Sequence, residues 1–433
     1  DHTLILRDDG TVFSCGNNKN AQLGDGTTGN CNVPVPVTGL SGIVSVSAGD
    51  THSVALKEDG TVWAWGRGKE GQLGNGSTTT KKTPTQVSDI SGAIGVVAQG
   101  RYTAVLKNDG TVWTFGQNNY GQLGDGTKTN RNLPGQVPGL KDIIVLAGGS
   151  GHMMALQADG NLWVWGNNAS GQLGDGTTTG NLNPLRITDT DSFTAIAAGG
   201  EYNLALKDDG SLWAWGNNAS GQLGNGSTEN SSVPSKVETA PAGINSITAG
   251  SDFAAVCSND GKIWMWGNNA SGQLGRGTIG SQELLPVQIE SLSSIITVGA
   301  GGNHAIALKN DGSLWAWGKN DKGQLGNGST TDRSVPVAVW LASAASPLLQ
   351  DARTSVDGKT INLKFDEAMA DPTGITPAFA VSVDGIDNPI TAVTLKTENT
   401  LELTLTNSIS SGSVVAISYS IGTLTSSDGN ILG

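Results

Sequence analysis

The chain has 433 residues, of which 36% are hydrophobic, 15% are charged and 63 are glycine. This glycine content is about twice the usual share, and with only 14 prolines and no Gly-X-Y period it excludes collagen and a helical bundle. A formal charge of −13 argues against a nucleic-acid partner, because proteins that track a phosphate backbone present basic surfaces to it.

The hydrophobic segments are short. No apolar run approaches the ~18 residues that a membrane-spanning helix needs, so we expect no membrane insertion. No charged-then-apolar targeting segment opens the chain, which starts at Asp1 rather than at Met. We therefore expect either a processed chain or a monomeric fragment of a longer protein.

Three cysteines are too few for a disulfide scaffold. Cys15 and Cys31 fall in the same repeat, described below, and at most this pair could form a bridge. Cys257 takes a position that is Leu308 in another repeat, which predicts a small buried hydrophobic side chain. The sequence allows a Cys15–Cys31 disulfide but favours free thiols.

Three markers recur along residues 1 to about 340 with one common period. Each of seven units contains an Asp-Gly pair, a Gln-Leu-Gly motif and a proline, in that order. The Asp-Gly pairs begin at Asp9, Asp59, Asp109, Asp159, Asp209, Asp260 and Asp311. The chain therefore begins with seven repeats of about 50 residues, and such a period indicates stacked or radially arranged units.

Each repeat has the pattern of four short strands. In the fifth unit, residues 211–215 alternate large and small side chains, which places Trp213 and Trp215 on one face of a strand. The preceding Asp-Gly pair predicts a tight hairpin with residues 203–207. Apolar residues 193–197 and the segment 234–237 supply two further strands. Four strands per unit, repeated seven times, predict an all-β fold: a seven-bladed β-propeller.

The repeat resembles a known family. The segment Asp-Gly-Ser-Leu-Trp-Ala-Trp-Gly at 209–216, with Ala-Gly-Gly before it and Gly-Gln-Leu-Gly after it, looks like the regulator of chromosome condensation repeat in its bacterial form. The resemblance covers all seven units and implies a seven-bladed propeller. It implies less about function, because relatives include nucleotide exchange factors, a plant light receptor and a bacterial β-lactamase inhibitor.

One strand is missing from the count. The apolar segment before Ala-Gly occurs six times, whereas the other three strands of the unit occur seven times. We therefore expect an incomplete first or last blade, unless residues 337–341 substitute for the absent strand.

A second domain follows the propeller. The repeat ends at about residue 341, and 342–347 read as a small-residue linker. Residues 348–433 contain five alternating segments between turn-forming residues, with Leu401, Leu403 and Leu405 on one face, which predicts a small C-terminal β-sandwich. Asp366-Glu367-Ala368-Met369 and Asp428-Gly429-Asn430 resemble the immunoglobulin-like modules of bacterial surface proteins. The module ends where one more strand is usual, so we expect it to be truncated.

Aromatic residues and histidines occupy fixed repeat positions. Eleven of the 12 tryptophans recur at two positions per unit, which favours packing between blades over the light-sensing cluster that the plant relative implies. His2, His52, His152 and His304 share one position, which Tyr or Phe fills elsewhere. Equivalent positions are dispersed around a ring, so they do not converge on a metal. Exchange with Tyr and Phe predicts a half-buried aromatic role.

No cofactor, metal or catalytic constellation is expected. The Gly-Gln-Leu-Gly loops lack the lysine and helix of a phosphate-binding loop. Asp25, Asp125 and Asp175 lie in glycine-rich turns, but Arg276 takes the equivalent position in the sixth unit, so a dedicated calcium site is not favoured.

We expect function to reside on the loops of one propeller face, where the residues around the histidine position vary between units. The candidate binding residues are Asp50, Thr51, His52, Arg101, Tyr102, His152, Glu201, Tyr202, Asp252, Phe253, Asn303 and His304. We interpret the chain as a non-catalytic binding or adhesion scaffold of a bacterial secreted or cell-surface protein, with a protein or glycan ligand. The alternatives are an enzyme inhibitor or exchange-factor-like regulator using the same face, and an enzyme with a site in the central channel.

Overall fold

A computed structural model describes residues 1–188, 192–341, 349–365, 379–397, 400–410 and 413–419. All regular secondary structure in these residues is β-strand. The chain divides into two compact units, Asp1–Val339 and Trp340–Gly433. The described residues form no helix that is long and apolar enough to cross a membrane.

The first unit is a ring of seven antiparallel sheets, or blades, each built from strands consecutive in sequence. Blade 1 contains β1 (His2–Leu6), β2 (Val12–Gly16) and β3 (Cys31–Pro36). Blade 2 contains β4 (Ile43–Ala48), β5 (His52–Lys57), β6 (Val62–Gly66) and β7 (Lys81–Gln86), and blade 3 contains β8 (Ala93–Gln99), β9 (Tyr102–Lys107), β10 (Val112–Gly116) and β11 (Arg131–Gln136). Blade 4 contains β12 (Ile143–Gly148), β13 (His152–Gln157), β14 (Leu162–Gly166) and β15 (Asn181–Arg186), and blade 5 contains β16 (Phe193–Ala198), β17 (Tyr202–Lys207), β18 (Leu212–Gly216) and β19 (Ser231–Lys236). Blade 6 contains β20 (Ile244–Ala249), β21 (Phe253–Ser258), β22 (Ile263–Gly267) and β23 (Glu283–Gln288), and blade 7 contains β24 (Ile295–Ala300), β25 (His304–Lys309), β26 (Leu314–Gly318) and β27 (Arg333–Ala338).

The Asp-Gly pairs form the hairpins that the sequence predicts. In blade 2, Gly60 has a φ of 77°, a conformation that glycine adopts without a steric penalty. The Asp59 side chain accepts hydrogen bonds from the backbone N–H and the hydroxyl of Thr61, which fixes the turn. The same geometry recurs around the ring, so the seven hairpins lie on one face of the propeller.

Tryptophan packs neighbouring blades together, as expected. Trp215 is fully buried, and its Nε1 donates to the carbonyl of Gln172 in the preceding blade (3.1 Å). Gly174 lies so close that an added Cβ would meet this Nε1 at 2.7 Å, which explains the glycine of the Gln-Leu-Gly motif. Trp213 is only half-buried and carries Lys207 over its ring, with Nζ 4.7 Å from the centroid.

The ring closes between blades 7 and 1 through polar contacts. The Thr3 hydroxyl donates to the carbonyl of Gln324 (2.7 Å), and Gly328 N–H donates to the carbonyl of Asn32 (2.9 Å).

Blade 1 has three strands, so the predicted incomplete blade is the first. The alternative that residues 337–341 replace the missing strand is wrong, because residues 337 and 338 belong to β27 and residues 339–341 form no strand.

All three cysteines are free, as the sequence favours. Cys15 and Cys257 are buried, and Cys31 is partly exposed. Cys15 occupies the buried tryptophan position of blade 1, where its Sγ donates to the carbonyl of Gln324 (3.6 Å). The seam between blades 7 and 1 therefore has a thiol where most other seams have an indole.

The second unit contains two antiparallel sheets. One has the order β28 (Leu349–Thr354), β29 (Thr360–Phe365), β33 (Thr400–Leu405) and β32 (Ile390–Thr397), and the other has the order β31 (Ile386–Asp387), β30 (Phe379–Val383) and β34 (Val415–Tyr419). One hydrophobic cluster, which includes the buried Leu401, Leu403 and Phe379, draws on both sheets. The unit is thus a small sandwich. The predicted linker and the motifs at 366–369 and 428–430 lie outside the described residues.

Candidate functional site

One face of the propeller is formed by two sets of loops, and we call it the loop face. The first set joins the innermost strand of a blade to the next strand, and the second follows the third strand. Backbone hydrogen bonds join the two sets. Arg67 N–H donates to the carbonyl of Thr51 (3.0 Å), and Gln117 N–H donates to the carbonyl of Arg101 (3.0 Å). The Asp-Gly hairpins lie on the opposite face, which we call the hairpin face.

The first set of loops forms a rim, in which backbone hydrogen bonds join four pairs of neighbouring blades. Asp50 N–H donates to the carbonyl of Gly100 (3.0 Å), and Ser150 N–H donates to the carbonyl of Gly200 (2.9 Å). Gly200 N–H in turn donates to the carbonyl of Ser251 (3.0 Å). The rim is therefore a rigid frame for the side chains that it carries.

The rim surrounds the mouth of the central channel, a cavity of ≈ 730 Å³. Its wall is formed largely by backbone and by small side chains of the innermost strands, such as Ser47, Ala98 and Gly299. Within the ranges that the structure describes, no group of three or more His, Cys, Asp or Glu side chains could hold a metal ion.

The histidines lie between blades rather than on the face. His52 is fully buried, and its Nε2 lies 2.9 Å from the Thr103 hydroxyl of the next blade. That hydroxyl donates to the carbonyl of Gln72 (2.9 Å), so the His52 Nε2 carries the proton and donates to it. His152 bonds Asn203 of the next blade in the same way (2.7 Å). We call this arrangement the interblade clasp.

Burial keeps the clasp histidines neutral. It lowers the pKa of His52 to about 4 and that of His304 to about 3, because a charged imidazolium would lose its hydration there. The Nδ1 atoms of His52 and His152 have no hydrogen-bond partner, and each ring lies directly against a glycine of the rim, Gly49 or Gly149.

Tyrosine at the same position also links blades. The Tyr102 hydroxyl donates to the carbonyls of Gly149 (2.9 Å) and His152 (2.8 Å), and the Tyr202 hydroxyl donates to the carbonyl of Phe253. The sequence predicted half-buried aromatic side chains at this position, and the structure buries them more deeply than that. Six of the predicted binding residues are at least 97% buried and therefore do not belong to the accessible surface. They are His52, Tyr102, His152, Tyr202, Phe253 and His304.

The other six predicted residues are at least partly exposed on the rim, although the Thr51 hydroxyl is buried. They are Asp50, Thr51, Arg101, Glu201, Asp252 and Asn303. The structure places them in successive loops around the channel mouth rather than together in one cluster.

A cluster of two arginines and one glutamate lies on the loop face at blades 2 and 3, and sequence reasoning found only Arg101 among its members. Glu70 forms ion pairs with Arg67 (3.0 Å) and Arg101 (3.7 Å), so two guanidinium groups share one carboxylate. Burial alone would raise the pKa of Glu70, but hydrogen bonds from Arg67 and Gln72 outweigh it and hold the pKa below its ordinary value. Arg101 is 42% exposed and presents positive charge to solvent.

Tyr120 is the large aromatic side chain of this face, with 51% exposure. Its ring lies over Gly151, where an added Cβ would meet Cδ2 at 3.0 Å. The sequence contained the signal for it, since the equivalent positions in other repeats hold Asn20, Ser220 and other polar residues. Exposed tyrosine is one of the residue types enriched at energetically important contact sites.

The rim at blades 5 and 6 is acidic. The Ser170 hydroxyl donates to Glu201 Oε2 (2.9 Å), which holds that carboxylate in place. Partial burial, with a smaller contribution from Glu201, raises the pKa of Asp252. The loop face therefore carries an exposed arginine and an exposed tyrosine on blade 3, with the carboxylates of Asp50 and Glu70 on blade 2, and an acidic sector on blades 5 and 6.

Comparisons with known proteins agree with this architecture. Residues 115–359 match the family described as the RCC1-like domain. Residues 9–56 and 59–106 match the regulator of chromosome condensation (RCC1) repeat, and residues 341–423 match a putative flagellar system-associated repeat. The last match names a different family from the immunoglobulin-like module that the sequence predicted.

Curated relatives match over short stretches. A mitochondrial RCC1 domain-containing protein of Arabidopsis thaliana, RUG3, is 35% identical over 109 residues, 25% of this chain and 24% of the relative. The Protein RCC2 homolog of Xenopus laevis is 39% identical over 113 residues, 25% of this chain and 22% of the relative. The chain therefore matches about a quarter of the length of these relatives.

Solved structures share the fold over most of the propeller. Human WBSCR16 has a TM-score of 0.69 and 24% identity, covering 80% of this chain and 96% of that one. Prp20p of Saccharomyces cerevisiae, studied with its binding properties to Gsp1p and histones, has a TM-score of 0.71 and 23% identity, covering 81% of this chain and 90% of that one.

Proposed function

The chain belongs to the family of RCC1-like domains, and on that premise we propose that it is a non-catalytic binding module that recognises a partner protein through the loop face. The observation that carries the proposal is the contrast between a rigid rim and the variable side chains on it. Residues that alternate among His, Tyr and Phe connect the blades, whereas the accessible residues beside them differ in charge and size from blade to blade.

Two sectors would share the recognition. In the first, the Arg101 guanidinium and the Tyr120 ring offer a cation and an aromatic surface. In the second, Glu201 and Asp252 offer carboxylates to a basic group. A partner with an acidic group facing Arg101 and a basic patch facing blades 5 and 6 complements this arrangement.

The setting that we propose is a bacterial secreted or cell-surface protein, in which the propeller acts as a binding or adhesion scaffold and the chain is monomeric. Support comes from the acidity of the chain and from the second unit, which matches a repeat described as putative flagellar system-associated. A glycan ligand in place of a protein would be an outcome of the experiment below.

A second candidate is a protein–protein regulator, an inhibitor or an exchange-factor-like protein, that uses the same face. The favouring observation is that Prp20p, which shares the propeller fold, binds Gsp1p and histones. Such a regulator would form a stable complex with a soluble enzyme or a GTPase and would change its activity, whereas a scaffold would bind without changing turnover.

The experiment is capture of extracellular proteins and glycans on the immobilised chain, compared with two double variants. Arg101→Ala with Tyr120→Ala removes the exposed cation and the exposed aromatic ring of blade 3, whereas Lys82→Ala with Leu133→Ala changes exposed side chains on the outer strands β7 and β11. We expect a partner that the chain and the outer-strand variant retain and that the loop-face variant loses. Equal capture by all three proteins would contradict the proposal.

A further inference from the structure

A β-bulge occurs at the same place in all six four-stranded blades. In blade 2, Ile43 pairs with Lys57 and Ser45 pairs with Leu56, so Val44 is an extra residue with no partner. Ile94 and Ile144 occupy the equivalent position in blades 3 and 4. A bulge turns the extra side chain away from the ladder, and such features often re-aim a residue toward a functional surface.

The bulge residues project to solvent at the start of the innermost strands. They are Val44, Ile94, Ile144, Thr194, Asn245 and Ile296, which we call the bulge ring. Four are β-branched and apolar, yet they are 51–57% exposed. Because Thr194 and Asn245 fill the same position in blades 5 and 6, the fold itself does not require an apolar side chain there.

Three of the four apolar members are neighbours around the ring. The innermost strands β4, β8 and β12 contact one another in succession, so Val44, Ile94 and Ile144 form one arc. The arc lies toward the hairpin face, because Ile43 N–H donates to the carbonyl of Gly10 in the Asp-Gly hairpin of blade 1 (3.3 Å). A repeated apolar position on a solvent-facing ring differs from the single exposed apolar residues that are normal on protein surfaces.

Acidic residues outnumber basic ones in the hairpins. Each hairpin carries an aspartate at its tip, and Asp8, Glu58 and Asp208 add a second acid in three of them, whereas no hairpin carries more than one lysine or arginine. Hydrogen bonds from the Thr61 hydroxyl and N–H lower the pKa of Asp59, so this carboxylate stays ionised at neutral pH. Several hairpin lysines lie over tryptophan rings, as Lys57 does over Trp63 with Nζ 5.9 Å from the centroid.

We propose that the bulge ring and the hairpin aspartates dock a basic, amphipathic segment of a partner protein. Its apolar side chains would cover Val44, Ile94 and Ile144, and its lysines or arginines would face the hairpin carboxylates. A second copy of this chain does not fit, because two such faces would bring like charges together. The surface is separate from the loop face, so its test is independent of the proposed function above.

The residues at the equivalent position of other blades define a conservative variant. Ile94→Thr with Ile144→Asn introduces the residues that blades 5 and 6 already carry at this position, so folding is expected to be preserved. The matched control is Leu133→Thr with Val233→Asn, because these apolar residues on outer strands are 44% and 49% exposed. Circular dichroism and thermal melting establish that both variants remain folded.

The probe is a synthetic amphipathic peptide of leucine and lysine, compared with a peptide in which serine replaces leucine, by calorimetry at 0.15 M salt. We expect the leucine–lysine peptide to bind the chain and the control variant equally, and to bind the bulge-ring variant roughly tenfold or more weakly. Equal affinity for the bulge-ring variant, or equal affinity of the two peptides, would overturn the proposal. A concentration-dependent dimer that the bulge-ring variant abolishes would assign the surface to a second copy and would also overturn it.

Discussion

At the scale of single residues, histidine and tyrosine at one repeat position both connect neighbouring blades, but they bond different groups. His52 reaches the Thr103 hydroxyl, whereas Tyr102 reaches a backbone carbonyl one blade further on. Both side chains connect neighbouring blades while remaining fully buried. The interchange of His, Tyr and Phe seen in the sequence is thus a consequence of interblade packing.

The clasp histidines predict a loss of stability in weak acid. The pKa of His52 falls to about 4 in the folded protein, against about 6.5 in an unfolded chain, so the unfolded state binds more protons as the pH falls below 6.5. The free energy of unfolding is expected to decrease from pH 6.5 downward, by about 2 kcal/mol from His52 at pH 5. Urea titrations between pH 5 and 7.5 measure this.

His52→Tyr is the control for that prediction, because tyrosine already serves at this position in blades 3 and 5. The variant is expected to show a shallower pH dependence over the same range. An unchanged dependence would show that His52 does not titrate on unfolding.

At the scale of elements, the strands of a blade are fixed by local signals. The Asp-Gly turn and the alternation of Trp213, Ala214 and Trp215 predicted the β17–β18 hairpin, and the structure pairs Asn203 with Trp215 as that prediction requires. The burial of the histidine position could not be predicted from one repeat, because its partners lie 51 residues away in the next blade. Tyr120 was missed because it departs from the repeat in a single unit.

Blade 1 differs from the others in having a free inner edge within the described residues. Arg7 N–H donates to the carbonyl of Thr11. Because the N–H groups of successive residues in a strand point to opposite sides, those of Leu4 and Leu6 point away from β2. The equivalent Val54 and Leu56 are paired with β4. We expect the Leu4 and Leu6 amides to exchange with deuterium roughly tenfold or more faster than those of Val54 and Leu56. Equal protection would show that the edge of β1 is covered.

At the scale of the whole molecule, the ring has one seam of distinct character. Apolar clusters that include a buried tryptophan or phenylalanine join the successive blades from blade 1 to blade 7. At the closure between blades 7 and 1, Cys15 and polar contacts such as Thr3 to Gln324 take this role. The ring is therefore expected to open first at this seam.

Thiol labelling tests this order. Burial raises the pKa of Cys15 to about 12, so the thiol is unreactive while the ring is closed. In a Cys31→Ser background, Cys15 is expected to react at urea concentrations below the main unfolding transition, and Cys257, buried within the cluster between blades 6 and 7, only within that transition. Simultaneous labelling of the two thiols would indicate that the ring unfolds as one unit.

The central claim is that partners meet the loop face through accessible rim residues, and site-specific photo-crosslinking tests it most directly. A photoreactive phenylalanine analogue is placed at Tyr120 on the loop face or, as the matched position, at Leu133 on an outer strand, since these side chains are 51% and 44% exposed. After irradiation in a mixture of extracellular proteins, we predict a discrete crosslinked species from position 120 and none from position 133. Crosslinks from position 133 alone, or the same products from both positions, would contradict recognition by the loop face.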